Sequence, residues 1–135
     1  IEDEYDYIVL MQATSPLRTA QHIDEAIKQL SDTNADSVIS VSKAEHNPLW
    51  ANVLPADGAM KGFIKDDVEG KRSQDLDTYY RLNGALYILG TQKFRTAKSL
   101  MYDKSYAYIM PIEASIDIDS LYDFICAEAV IKHDI

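Results

Sequence analysis

Tyr7–Ile27, YIVLMQATSPLRTAQHIDEAI, passes from a short apolar run through a polar turn into a stretch of helical spacing. Tyr7–Met11 is apolar, short and ended by polar residues, which predicts a buried strand. Thr19 is a good N-cap. The residues after it put Ile23, Ala26, Ile27 and Leu30 on one helical face. SDTNADS has loop chemistry, and SVISVS at Ser37–Ser42 alternates with period two, a second strand. Strand, helix and strand in that order predict a parallel βαβ unit.

The remainder extends this α/β pattern. Lys43–Tyr80 breaks it, with Pro48, Pro55, the turn signal Asp57-Gly58 and many charges. LWANVLPADGAMKGFI reads there as two short strands about a turn, so residues 44–72 are expected to form an inserted hairpin arm. DDVEGKRSQDLDT reads as a polar loop. NGALYILG (Asn83–Gly90) returns to core strand, and TQKFRTAKSLM is a helix with Phe94, Ala97, Leu100 and Met101 as its apolar positions. YAYIMPI is a strand and ASIDID a further extended run. SLYDFICAEAVIK is a closing helix with Leu121, Phe124, Ile125, Glu128 and Ile131 at helical spacing, opened by Ser120 and Asp123 as an acidic variant of the capping box. The expectation is one α/β domain with a mostly parallel sheet.

Composition narrows the function classes. The chain has 135 residues, 47% hydrophobic and 26% charged, as a soluble globular domain does. No apolar run is long enough to span a bilayer, and no secretory signal pattern opens the sequence. Cys126 is the single cysteine, so no internal disulfide forms and a cytoplasmic setting is the expectation. The net charge of −9 argues against a nucleic-acid surface. It also means that a polyanionic substrate needs a metal or a local basic cluster beside it.

Four places carry candidate chemistry. Ligands of open α/β sheets bind beyond the carboxyl ends of strands, where QATSPLR sits. Gln12 offers an amide, Thr14 and Ser15 hydroxyls, and Arg18 a fixed cation, with Pro16 stiffening the turn. The bland alternative is a turn followed by an N-cap. In IDIDS, a strand puts Asp117 and Asp119 on one side, where two carboxylates repel unless a cation lies between them. Oxygen ligands suit a hard divalent ion, Mg²⁺ above all. The alternative is an exposed edge strand with Asp119 capping the next helix. In YYRLNGALY, Arg81 can grip a carboxylate at two points, and Gly84 permits close backbone approach or a bulge. Taken alone, Arg81 and Asn83 read equally as a solvated cation and a turn residue. KRSQD, with Arg72 and Gln74, is a local basic patch or simply a solvated loop.

The remaining residue types point elsewhere. His22, His46 and His133 lack zinc-like spacing, Ser15 has no nucleophile elbow, and Cys126 lies among apolar helix residues.

LMQATSPLRTAQHIDEAI, KRSQDLDTYYRLNGALYI and IDIDSLYDF, in this order, resemble the cytidylyltransferases that activate sialic-acid-type sugars, the CMP-N-acetylneuraminate synthetases. The resemblance runs over nearly the whole chain. It implies a Rossmann-like nucleotidyltransferase fold and attack of the sugar acid's anomeric hydroxyl on the α-phosphate of CTP, giving CMP-sugar and pyrophosphate. It also implies Mg²⁺ and a homodimer joined through the inserted arm. By position, Gln12 would hydrogen-bond the nine-carbon sugar, Arg81 would meet its carboxylate, Tyr87 would lie along the pocket, and Asp117 and Asp119 would hold the metal. QATSPLR would then be the sugar-side wall, with Thr14, Ser15 and Arg18 beside Gln12; Arg72, Gln74 and Asn83 are the further candidates for substrate contact.

There are departures. Ser73 stands where the family often has a second Arg, a place Arg72 can fill; Asp77 and Ala13 stand where it commonly has Pro. The family opens with a Gly-rich basic loop that cradles the nucleotide phosphates, and nothing similar precedes Tyr7. The expectation is therefore the carboxyl-terminal part of such an enzyme, with little CTP-dependent activity by itself. Two other readings use the same residues: a non-catalytic sugar-binding and dimerisation module, and an Asp-x-Asp glycosyltransferase, which is disfavoured because so little chain follows the pair.

Overall fold

The computed structural model describes residues 4–133. The chain forms two compact units. One comprises the residues up to Ser42 together with those from Leu82 onward; the other is Lys43–Arg81.

The first unit is built on a four-stranded sheet: β1 (Tyr7–Leu10), β2 (Ser37–Lys43), β3 (Tyr80–Gly90) and β4 (Ser105–Ile109), ordered β1-β3-β2-β4. Its helices are α1 (Ala20–Thr33), α2 (Thr91–Ala97) and α3 (Leu121–His133). β1 pairs antiparallel with β3, Tyr7 opposite Gly90 and Leu10 opposite Tyr87. β2 pairs parallel with β4, Ser37 opposite Ser105. β3 runs against β2, since Gly90 N–H reaches Asp36 O at one end while Ser40 meets Leu86 further along. The sheet is therefore mixed, a correction to the mostly parallel one expected. β1, α1 and β2 do make a crossover between strands of one direction, with β3 inserted between them. Alternation of apolar residues reports that a segment is a strand and is silent on its direction.

α1 forms where its spacing predicts it. Thr19 and His22 cap each other: His22 N–H donates to Thr19 Oγ1 and Thr19 N–H to His22 Nδ1. Asn34 ends the helix in the left-handed region. Ala26 and Leu30 of α1 meet Val38, Ala85, Leu86, Ile88 and Met110 in the core. β2 is buried on both faces up to Ser42, so its alternating serines are interior residues. Two of them have partners there: Ser37 Oγ bonds Leu100 O and Ser105 Oγ, and Ser40 Oγ bonds Asn83 and Leu86.

Several elements depart from expectation. β1 is an edge strand with Leu10 and Met11 about half exposed, rather than a buried one. α2 stops at Ala97 because Lys98 turns left-handed, leaving Leu100 and Met101 outside the helix. ASIDID forms a short 3-10 turn at Glu113–Ser115 and then unpaired extended chain, with no strand. α3 opens as expected, Ser120 N–H donating to Asp123 Oδ2 and Asp123 N–H to Ser120 Oγ. Its apolar side chains do not enter the core, however: Leu121, Phe124, Ile125 and Ile131 are all more than half exposed, because among the described residues only Ala127 of this helix is covered.

The second unit forms at the expected insertion, but no strand lies between β2 and β3, so the hairpin is absent among the described residues. Pro55–Gly58 makes the expected turn, and Asn52 Nδ2 bonds Phe63 O between the two legs. Two 3-10 turns, Pro48–Trp50 and Ser73–Asp75, and the buried Val68 complete it.

Candidate active site

The turn after β1 is held by its own backbone. Ser15 N–H donates to Gln12 O, and one guanidinium nitrogen of Arg18 bridges Gln12 O and Ser15 O at 2.6 and 2.7 Å. Arg18 is thereby a clamp on the turn's carbonyls. Ser15 is fully buried with its Oγ unpartnered, so it faces the interior rather than a ligand at the surface.

Ile118 N–H donates to Thr14 O at 2.8 Å, which fastens the Asp117 segment to the turn. Gln12 Nε2 then donates to Thr14 Oγ1 at 2.8 Å and to both oxygens of Asp117 at 3.1 and 3.0 Å. A carboxylate accepts only, so the amide nitrogen must be the atom facing it, and that fixes the amide's orientation. The opposite side of the amide lies on Gly84. That glycine sits at φ +72°, and a Cβ placed there would be 2.3 Å from Gln12 Oε1. The close approach anticipated for Gly84 is thus present, and Gln12 is the group that makes it.

Asn83 is a core residue. It is 2% exposed, its Nδ2 donates to Ser115 Oγ at 2.9 Å and touches Met110 Sδ, and its Oδ1 accepts from Ser40 Oγ and Ala85 N–H. It ties β2 and β3 to the segment that leads into Asp117. Tyr87 stands opposite Leu10 in the β1–β3 ladder, half-buried. Asp119 is exposed; its N–H donates to Asp123 Oδ2, and Ser120 rather than Asp119 is the cap of α3.

Within Lys43–Arg81, Arg81 grips Glu45 at two points, Nε to Oε2 at 3.0 Å and a terminal nitrogen to Oε1 at 2.7 Å. The two-point carboxylate contact expected of Arg81 exists, with a protein carboxylate. The hydrogen bond from Arg81 holds the Glu45 carboxyl below its ordinary range, against a smaller opposing effect of burial. Arg72 pairs with Asp75 through Nε at 3.2 Å, and Gln74 lies exposed in the same turn. Glu45 escaped sequence reasoning because nothing in SKAEH distinguishes it from a solvated carboxylate. Asn83, expected at the substrate, lies instead in the core; its partners Ser40 and Ser115 escaped because a serine in an alternating strand and one in a short turn both look solvent-facing.

Among the described residues no three His, Cys, Asp or Glu side chains gather as metal ligands. Mg²⁺ in nucleotide sites needs one or two carboxylates and takes its other ligands from phosphates and water. The all-oxygen pair Asp117 and Asp119, neither buried, suits that chemistry, although the shared strand face expected of them does not form.

Sequence comparison adds an independent line. No family model matches the chain. An N-acylneuraminate cytidylyltransferase of Streptococcus agalactiae serotype V is 38% identical over 124 residues, 92% of this chain and 30% of the relative. A CMP-N,N'-diacetyllegionaminic acid synthase of Legionella pneumophila is 30% identical over 142 residues, 95% of this chain and 55% of the relative. An Escherichia coli N-acylneuraminate cytidylyltransferase is 31% identical over 125 residues, 92% of this chain and 29% of the relative. By sequence the chain is similar to part of the N-acylneuraminate cytidylyltransferases. It spans under a third of the streptococcal relative's length and about half of the Legionella one's. The cytidylyltransferase likeness covers the Gln12 turn, Gly84 and Asp117, which the fold assembles in its first unit. No helix among the described residues is long and apolar enough to cross a membrane.

Proposed function

We propose that this chain is part of a cytidylyltransferase that joins CMP, from CTP, to a sialic-acid-type nonulosonic acid. In the reaction the anomeric hydroxyl oxygen bonds to the α-phosphorus as the bond to the bridging oxygen breaks. Pyrophosphate leaves with the electron pair, and the hydroxyl proton is released. The observation that carries the reading is likeness over more than nine-tenths of the chain to relatives named for CMP transfer to two different nonulosonic acids.

The residues have work suited to it. The Gln12 turn presents an oriented amide at a strand's carboxyl end, where α/β folds place their ligands. Asp117 and Asp119 would hold Mg²⁺, which supplies a positive charge beside the phosphates. Within Lys43–Arg81, Arg81 holds the Glu45 carboxylate in a two-point grip, the kind of contact that a guanidinium makes with a carboxylate ligand. A homodimer is part of the proposal: Val53, Leu54 and Met60 of the Lys43–Arg81 unit are well exposed, more apolar than a free loop needs.

The test is pyrophosphate release and product mass from the protein carrying this chain, given CTP, Mg²⁺ and N-acetylneuraminate or a legionaminic acid. Release that needs both the sugar acid and CTP, with a CMP-sugar product, is expected. Sugar-acid-independent release, or none from any nonulosonic acid, refutes the assignment.

A further inference from the structure

We propose that Gly84 is a positioning residue for Gln12, and that the seated amide presents its oxygen, so that Gln12 recognises a hydrogen-bond donor on the substrate. The inference rests on the cytidylyltransferase reading for its substrate and on geometry for the rest.

The β1–β3 register brings the two residues together. Leu10 stands opposite Tyr87, so the same register carried two residues past β1 puts position 12 opposite position 85, next to Gly84. Any side chain at 84 would collide there: a Cβ would lie 2.3 Å from Gln12 Oε1, 3.0 Å from Cδ and 3.4 Å from Nε2. The φ of +72° at Gly84 is the second condition, since other residues rarely adopt it. The amide cannot retreat without loss, because Nε2 is engaged on the far side by Thr14 Oγ1 and both oxygens of Asp117. The backbone of the same turn is fixed by Arg18. Gln12 is thus held from two sides by groups that leave its amide no freedom to turn over.

That fixes what it offers. Both protons on Nε2 are directed at protein acceptors. Oε1 accepts no hydrogen bond among the described residues, and Gln12 is exposed. The free group is an acceptor, so the complementary substrate group is a hydroxyl or an amide N–H. A substrate analogue with an ether or a bare carbon at that place loses the contact.

The experiment is a double-mutant cycle on the protein carrying this chain, with Gly84→Ala, Gln12→Ala and the pair, each followed by sugar-acid KM, kcat and a melting curve. Gly84→Ala is expected to raise the sugar-acid KM about tenfold, the worth of one hydrogen bond, while the KM for CTP moves far less. In the Gln12→Ala background, where no amide remains to displace, Gly84→Ala is expected to leave the KM within about twofold. An equal penalty in both backgrounds means backbone strain alone and overturns the proposal. The second readout needs no activity: the side-chain amide resonances of Gln12 shift and lose their protection in Gly84→Ala and in Asp117→Ala. If those resonances are unmoved by Gly84→Ala, the positioning role is wrong even where catalysis is confirmed. If they move while the unmodified protein fails to turn over any nonulosonic acid, the positioning stands and the functional reading falls.

Discussion

Asn83→Ala is the sharpest probe of how the interior supports the site. The side chain is 2% exposed and makes four contacts, to Ser115, Met110, Ser40 and the Ala85 N–H. Every one of those partners is itself essentially buried. Ser40 keeps a second acceptor in Leu86 O and Ser115 one in Pro111 O, so the loss falls short of four full bonds. Losing two well-formed neutral bonds at about 1 kcal/mol each, together with the void left beside Met110, gives about 2–4 kcal/mol. Asn83→Asp is expected to be no milder at neutral pH. It keeps one oxygen but sets a charge against Ser115 Oγ, whose proton already points to Pro111 O. The assay is urea unfolding of the protein carrying this chain. At an unchanged slope of roughly 2 kcal/mol/M, in the middle of the range for small domains in urea, the midpoint falls by about 1–2 M. A midpoint shift worth less than about 0.5 kcal/mol for Asn83→Ala refutes the view that this amide is the tie between β2, β3 and the Asp117 segment.

Four further expectations follow from the geometry. Asp117→Asn and Asp119→Asn are each expected to lower turnover by about 10²-fold or more and to weaken its Mg²⁺ dependence, with melting little changed; normal turnover and an unaltered Mg²⁺ profile in both variants refute the metal assignment. Glu45 has its carboxyl held low by Arg81, so the pair's stabilising effect is fully present above the ordinary glutamate range near pH 4.3 and fades as pH falls through the lowered value; Glu45→Gln should remove that acid-limb component from a stability–pH curve, and an unchanged curve tells against the pair. Thr19→Ala removes a cap whose contact is long, 3.4 Å, so the cost should sit near the low end, about 0.5 kcal/mol, read by thermal melting; a cost of several kcal/mol means that Thr19 does something more than cap α1. Light scattering at micromolar concentration should give a dimer mass that falls toward the monomer on Leu54→Lys or Met60→Lys; a monomer from the outset refutes the arm's proposed role.

What was legible in the sequence was local. The Thr19 and Ser120 caps, the face of α1 and the positions of β1, β2 and β3 follow from spacing and side-chain chemistry at neighbouring residues, and all are present. Strand direction was not legible, because a β3 that runs against its neighbours has the same alternation as one that runs with them. ASIDID had the apolar–polar alternation of a strand, yet found no pairing partner among the described residues. Strand formation depends on a neighbour that the segment's own pattern cannot specify. Of the candidate site residues, Gln12 and Arg18 both sit in the expected turn, but Arg18, expected as a cation for the substrate, is engaged by the turn's own carbonyls. Ser15 and Asn83 carried ordinary polar signals and are interior.

The arginines show how charge constrains the proposed chemistry. The chain carries −9 overall, and each arginine of the three motifs already faces protein oxygen: Arg18 two turn carbonyls, Arg72 the Asp75 carboxylate, Arg81 the Glu45 carboxylate. Only the carboxylate pairs can exchange for a substrate anion without undoing the backbone. Arg18 cannot, because releasing it would free the turn that carries Gln12. Arg72 is largely exposed and its exchange gains little in water. Arg81 is the better candidate, since its fork already holds a carboxylate at two points. That leaves the triphosphate, whose charge exceeds anything one exchanged arginine offsets. This is the physical reason the proposal places the divalent cation at Asp117 and Asp119. A carboxylate already oriented by Gln12 Nε2 keeps further lone pairs for a metal, so a single fixed amide can serve both the substrate wall and the metal edge of the site.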